Sequence, residues 1–172
     1  MMKKKDKIKV LLVDDEEEFV KTLSERLQMR DVDSETAFDG EQAIELVSEK
    51  EPDVIVLDLK MPGLHGLDVL RWIKNFHPEV QVIIMTGHGT EHDEEKAREL
   101  GAFDYLKKPV ETDSLVQKIK VAYKAHFEDA MSAVAFAESG EFDTAKEIMR
   151  GEGPGGNESE SSAQKKDKEN KN

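Results

Sequence analysis

Val54-Ile55-Val56-Leu57-Asp58, followed by Leu59-Lys60-Met61-Pro62-Gly63, is the stretch that decides the fold. Its first four residues are apolar without alternation, the pattern of a strand covered on both faces, as in a parallel α/β sheet. The run then stops at a carboxylate and enters a Pro-Gly turn. Reading outward, the same grammar recurs. Ile8–Val13 leads into Asp14-Asp15, Val80–Met85 into Thr86, and Phe103–Leu106 toward Lys108-Pro109. In an open parallel sheet, ligands bind beyond the carboxyl ends of the strands, so polar residues far apart in sequence converge there.

The segments between these runs carry helical spacing. Phe19, Leu23 and Leu27 mark a first helix, and Asp39-Gly40-Glu41-Gln42 starts a second that turns Ala43, Ile44 and Val47 inward. Leu67, Leu70, Ile73 and Phe76 mark a third. A fourth, about Thr90–Leu100, opens on Thr90-x-x-Asp93 and offers only Ala97 and Leu100 to a core, which makes it the loosest. Val32–Thr36 is short and polar, suited to a sheet edge. Five βα units predict a doubly wound, five-stranded parallel sheet of flavodoxin-like order 2-1-3-4-5.

The fifth helix is long. Leu115, Val116, Ile119, Ala122, Tyr123, Phe127, Ala130, Val134 and Ala137 keep its period until Gly140. That span predicts roughly 26 residues, or about 39 Å, more than one small domain needs. A short helix over about Asp143–Arg150 is expected to fold back, and Ala133-x-x-Phe136-x-x-x-Gly140-x-Phe142-x-x-Ala145 is similar to the turn of a tetratricopeptide repeat. Such a hairpin needs neighbours to bury its faces. The expected organisation is a basic arm over residues 1–7, a domain over 8–126, a helical extension over 127–150 and a disordered tail over 151–172.

Composition narrows the function. The chain has 172 residues and a net charge of −13, which disfavours nucleic acid and anionic membranes as direct partners. It has no cysteine, so disulfides, thiol catalysis and cysteine metal sites are excluded. No apolar run approaches the roughly 20 residues needed to span a bilayer. Ile8–Val13 is too short for a signal-peptide core, so a cytoplasmic location is expected.

Adjacent carboxylates at a strand end repel one another unless a cation lies among them. Magnesium demands oxygen ligands and keeps several waters, a demand met by Asp15 and Asp58 directly and Asp14 through water. A carboxylate is also a nucleophile toward phosphorus. The ammonium of Lys108 would offset charge on the phosphoryl oxygens, and the Thr86 hydroxyl would hydrogen-bond the new group. Met61-Pro62-Gly63 and Gly66 shape the turn beside Asp58. His65, His88 and His92 lie on different loops and are expected to be exposed.

These residues, taken together and in order, resemble the receiver domain of bacterial two-component response regulators. Asp14-Asp15 matches its acidic pair, Asp58 its phosphoacceptor, and Met61-Pro62-x-x-x-Gly66 the turn that follows. Thr86-Gly87, Tyr105 and Lys108-Pro109 complete the set over Ile8 to about Tyr123. The resemblance implies a phosphoryl group received from a sensor histidine kinase, with Mg2+ held by Asp15, Asp58 and the backbone carbonyl of Lys60. It implies a cis peptide at Lys108-Pro109, and since its lysine is the residue directly before that proline, it points to Lys108 over Lys107. It further implies that Thr86 and Tyr105 act as a switch pair, remodelling the face formed by the fourth helix, fifth strand and fifth helix. His88 and Lys60 would tune phosphoryl lifetime.

The expected function is therefore a phosphorylation-dependent switch, not an enzyme beyond its own phosphorylation and dephosphorylation. It would act through protein contacts or phosphorelay, with the extended helix favouring a homodimer. No basic recognition helix follows the domain, so no DNA-binding output is expected. The competing readings are a fragment of a larger response-regulator transcription factor, a phosphorylation-independent scaffold, and a magnesium phosphohydrolase. The last would want a second acid close after Asp58, where Leu59-Lys60 stands instead.

Overall fold

A computed structural model describes residues 7–138, with side chains described through residue 132. The elements follow in strict alternation: β1 (Ile8–Val13), α1 (Glu17–Gln28), β2 (Val32–Ala37), α2 (Gly40–Glu49), β3 (Val54–Leu57), α3 (Gly66–Phe76), β4 (Gln81–Thr86), α4 (Glu91–Glu99), β5 (Asp104–Lys107) and α5 (Thr112–Glu138). All pairings are parallel and the strand order is β2-β1-β3-β4-β5. The doubly wound sheet expected from the sequence is thus the fold. The polar strand β2 lies at an edge, as its composition requires. The basic arm, the short helix of the hairpin with its repeat-like turn, and the tail lie outside the described residues, save Lys7.

Strand period explains why the central strands are apolar throughout. Leu11, Val13, Ile55, Leu57, Val82 and Ile84 point to the core beneath α2, α3 and α4. Val10, Leu12, Val54, Val56, Ile83 and Met85 point to the core beneath α1 and α5. A one-residue slip would exchange the two sets, so two well-filled faces pin the register.

The helices start where their caps allow. The Asp39 side chain accepts from the Gln42 N–H at 2.7 Å, and the Gln42 side chain accepts in return from the Phe38 N–H at 2.7 Å. At α4, Thr90 and Asp93 form a reciprocal capping box. Those caps matter most there, because α4 buries only Ala97. Three details depart from the periodicity: in α2, Ile44 stays half-buried outside the core while Leu46 packs against it, and two more lie in α3 and α1. Phe76 ends α3 and is 65% exposed, leaning on Trp72 with ring centroids 5.2 Å apart, while Val69 takes the inward place. In α1 the inward residue of the first turn is Val20, and Phe19 faces outward.

α5 is held at both ends of the sheet. Leu115, Val116, Ile119 and Ala122 are buried over β3 and β4. One to two turns farther on, Asp129 accepts from the buried Gln81 amide at 2.9 Å. His126 donates from Nδ1 to the Glu79 carbonyl at 2.8 Å, with Nε2 3.3 Å from an Asp53 carboxylate oxygen. The hydrogen bond to that carboxylate raises the His126 pKa above its ordinary value, so protonation strengthens the grip of this ring on Asp53. None of the described helices is long and apolar enough to cross a membrane.

Ile119 is fully buried, so Ile119→Ala should cost about 2–5 kcal/mol in urea unfolding. Phe76→Ala should cost about 1 kcal/mol or less, since it removes mostly exposed surface. Equal losses would place Phe76 in the core after all.

Candidate functional site

The strand ladder, and not loop packing, places the polar residues. Val13 pairs with Leu57, and Leu57 with Ile84, so β1 and β3 end level with one another and β4 extends two residues farther. The next residues continue the ladder. The Asp58 N–H donates to the Val13 carbonyl at 2.9 Å, the Asp14 N–H to Ala37 at 3.1 Å, and the Lys108 N–H to Thr86 at 3.0 Å. Each functional side chain is therefore mounted on main chain that the sheet fixes. The Lys108-Pro109 peptide is cis, as expected, and Lys108 turns into the site while Lys107 stays exposed on β5.

Asp14, Asp15 and Asp58 each bring one carboxylate oxygen within 4.8 Å of the other two. Asp14 and Asp58 are buried, at 4% and 7% exposure, and Asp15 stands at the open side. The Lys108 ammonium donates to Asp14 Oδ2 and lies 3.9 Å from both Asp58 Oδ2 and Glu16 Oε1. Its charge also faces the Phe19 ring, 4.5 Å from the centroid. An aromatic face attracts a cation, so Phe19 steadies Lys108 from the solvent side. The sequence had offered Phe19 as core. Its position one turn beyond the acidic pair was the available signal.

Burial pushes the Asp58 carboxyl above the usual carboxylate range; the Thr86 hydroxyl opposes this, the Asp14 charge adds to it, and Lys108 and the Lys60 N–H pull it back. Asp58 Oδ1 is buried without a hydrogen-bond partner. Three carboxylates thus share one close ammonium, and one buried carboxylate oxygen is left open. The donor set is all oxygen, which fits magnesium and not a soft metal. The orphaned oxygen and the excess negative charge are what a divalent cation or a phosphoryl group would satisfy.

Behind the carboxylates, Thr86 is 1% exposed and its Oγ1 accepts from the His88 N–H at 3.4 Å. The Tyr105 ring is already turned inward, 7% exposed, with its hydroxyl buried and unpartnered. It fits because residue 89 is glycine: a Cβ there would lie 1.7 Å from the Tyr105 hydroxyl and 2.8 Å from the Thr86 methyl. Gly66 has a similar reason. A Cβ on it would lie 2.4 Å from the Asp58 carbonyl oxygen, so the chain can return this close to the site only without a side chain.

The remaining candidates do not join the cluster. His65 caps α3, its Nδ1 accepting from the Leu67 N–H at 3.1 Å. His88 and His92 are exposed, as is the Lys60 side chain.

The family model described as the response regulator receiver domain matches residues 10–120. Among solved structures, the chain is similar to a response regulator receiver domain protein of Clostridium thermocellum, with 35% identity and a TM-score of 0.65 over 68% of this chain and 94% of that one. It is similar also to the receiver domain of NtrX from Brucella abortus, with 32% identity and a TM-score of 0.63 over 67% and 98%. A receiver domain protein of Methanospirillum hungatei shares the fold at 21% identity, with a TM-score of 0.70 over 72% and 99%.

Because Asp58 is buried among like charges, Asp58→Asn should unfold at higher urea concentration than the unaltered protein when magnesium is chelated. Added magnesium should narrow the gap by stabilising the unaltered protein more. A variant less stable than the unaltered protein in chelator would show that the carboxylates do not repel.

Proposed function

The chain belongs to the response regulator receiver domain family, and on that premise we propose that it is a phosphorylation-dependent switch whose phosphoacceptor is Asp58. The family makes it a signalling module rather than an enzyme with an external substrate, and implies a histidine kinase as partner. The observation that carries the assignment to Asp58 is its unpartnered, buried Oδ1 beside Lys108 and Thr86.

In the reaction an Asp58 oxygen forms a bond to phosphorus while the bond from phosphorus to the kinase histidine nitrogen breaks, and that nitrogen takes up a proton. A magnesium ion held by Asp15, Asp58 and the Lys60 carbonyl, with Asp14 acting through water, would offset charge on the phosphoryl oxygens. Lys108 shifts part of its bonding from Asp14 to the phosphoryl group. Thr86 donates its hydroxyl to a phosphoryl oxygen. His88 and Lys60, exposed at the rim of the site, limit or admit the water that hydrolyses the acyl phosphate.

Two bonds made in one state only are enough to bias a two-state element. Shifting a population from 1:99 to 99:1 takes roughly 5.5 kcal/mol of differential stabilisation. Charge-assisted hydrogen bonds contribute about 1.5–3 kcal/mol each. The responding element is α4, which has one buried side chain and follows Gly87 and Gly89. Tyr105 and Thr86 couple the site to it. The output surface is the face of α4, β5 and α5, extended along α5, where Phe127 and Met131 are one turn apart and each more than half exposed. Those two side chains suit a second copy or a downstream protein.

Intact-mass spectrometry after incubation with acetyl phosphate and magnesium should show one phosphoryl adduct on the unaltered chain and none on Asp58→Ala. An adduct that persists in the variant moves the acceptor elsewhere; a folded, magnesium-bound chain that takes no adduct leaves a scaffold. Gly89→Ala should expel the Tyr105 ring. Fluorine NMR of fluorotyrosine-labelled protein, which has two tyrosines, should show one displaced resonance. Two unchanged resonances would remove Gly89 from the switch.

A further inference from the structure

Three loops meet at the end of the sheet opposite Asp58. Glu51 follows α2, His77 is the C-cap of α3, and Glu79 precedes β4. One ligand atom from each lies within 4.8 Å of the other two. His77 Nδ1 is 2.7 Å from Glu51 Oε2. Glu79 Oε2 is buried and has no hydrogen-bond partner.

The arrangement is built, not incidental. The His77 N–H donates to the Ile73 carbonyl at 2.6 Å and the Val80 N–H to the His77 carbonyl at 3.0 Å, which closes a tight turn carrying both His77 and Glu79. The imidazole packs on Trp72, with ring centroids 5.5 Å apart. The Lys74 ammonium, the nearest fixed cation on α3, is committed to the carbonyls of Pro78 and Val80 at 3.2 and 2.7 Å. His126 is likewise committed to Asp53 and the Glu79 carbonyl. Neither side chain bridges the two glutamates. Glu51 and Glu79 thus stand side by side, and like charges this close disfavour joint ionisation. Such a pair is completed by a shared proton or by a metal ion.

We propose that Glu51, His77 and Glu79 form a second metal site, specific for a zinc-class divalent transition ion. The imidazole nitrogen decides the class. Magnesium and calcium select all-oxygen sets, whereas one imidazole with two carboxylates suits zinc, leaving a fourth position for water. The two ends of the sheet then differ in chemistry: an all-oxygen cluster at Asp58 and a nitrogen-oxygen cluster here. An ion at this site ties the loops before β3 and β4 to the end of α3, beneath the segment of α5 that His126 anchors. The proposal does not depend on Asp58 being phosphorylated.

The test is calorimetric titration of the full chain with zinc chloride in excess magnesium, which occupies the Asp58 cluster. One equivalent of zinc should bind the unaltered protein and Asp58→Asn alike. His77→Ala and Glu79→Gln should each weaken it about tenfold or more, with circular dichroism showing both variants folded. A second readout is the imidazole nitrogen shift of His77 on zinc addition in nitrogen-15 NMR. Zinc binding that is absent, that survives both substitutions, or that is lost in Asp58→Asn would overturn the proposal. The first outcome leaves a shared proton between the glutamates.

Discussion

The mutual repulsion of Asp14 and Asp58, brought together by the level ends of β1 and β3 and restrained by Lys108, is the constraint on which the rest depends. Two buried carboxylates this close are unfavourable without a cation, since desolvation and like charge both disfavour the ionised form. The ladder bonds from Asp58 to Val13 and from Asp14 to Ala37 keep them from relaxing apart. The apolar fill of both sheet faces holds that ladder in register. Folding energy is thus used to keep an acidic site poised for positive charge.

The same economy governs the helices. α1 and α5 are anchored by leucines, isoleucine and valines, and α3 by Val69, Leu70 and Ile73. α4 is anchored by one alanine and by its caps. Helices with little buried surface open at low cost, so α4, beside Thr86 and Tyr105, is weakly anchored. Gly89 adds a steric condition, because the inward Tyr105 ring occupies the space a Cβ would take. At the far end of the sheet the contacts are polar and specific, with Gln81, Asp53 and Glu79 gripping α5 through Asp129 and His126. Anchoring is thus weakest at α4, beside the acidic pocket, and the opposite end of the sheet grips α5 by specific polar contacts.

Much of this was legible in the amino-acid order. Uninterrupted apolar runs ending in Asp14, Asp58 and Thr86 specify buried parallel strands with polar tips, and β2 gave itself away as an edge by its charges. Strand and helix limits moved by a residue where a tertiary partner intervened. β4 begins at Gln81 because its pairing with β3 starts there, opposite Val54, and it includes Thr86 because Thr86 pairs with Lys107. Phe76 kept the helical period but lies at the helix end, where no partner element covers it.

The sequence by itself determined the alternation of strands and helices and which polar residues stand at the strand ends. It could do so because period, turn chemistry and strand termini are local properties. Only the tertiary structure decided that Phe19 faces the Lys108 ammonium, that Tyr105 is inward against Gly89, and that Glu51, His77 and Glu79 share one corner. Those are contacts between loops and side chains from separate elements. Their distances are set by packing, which no single segment encodes.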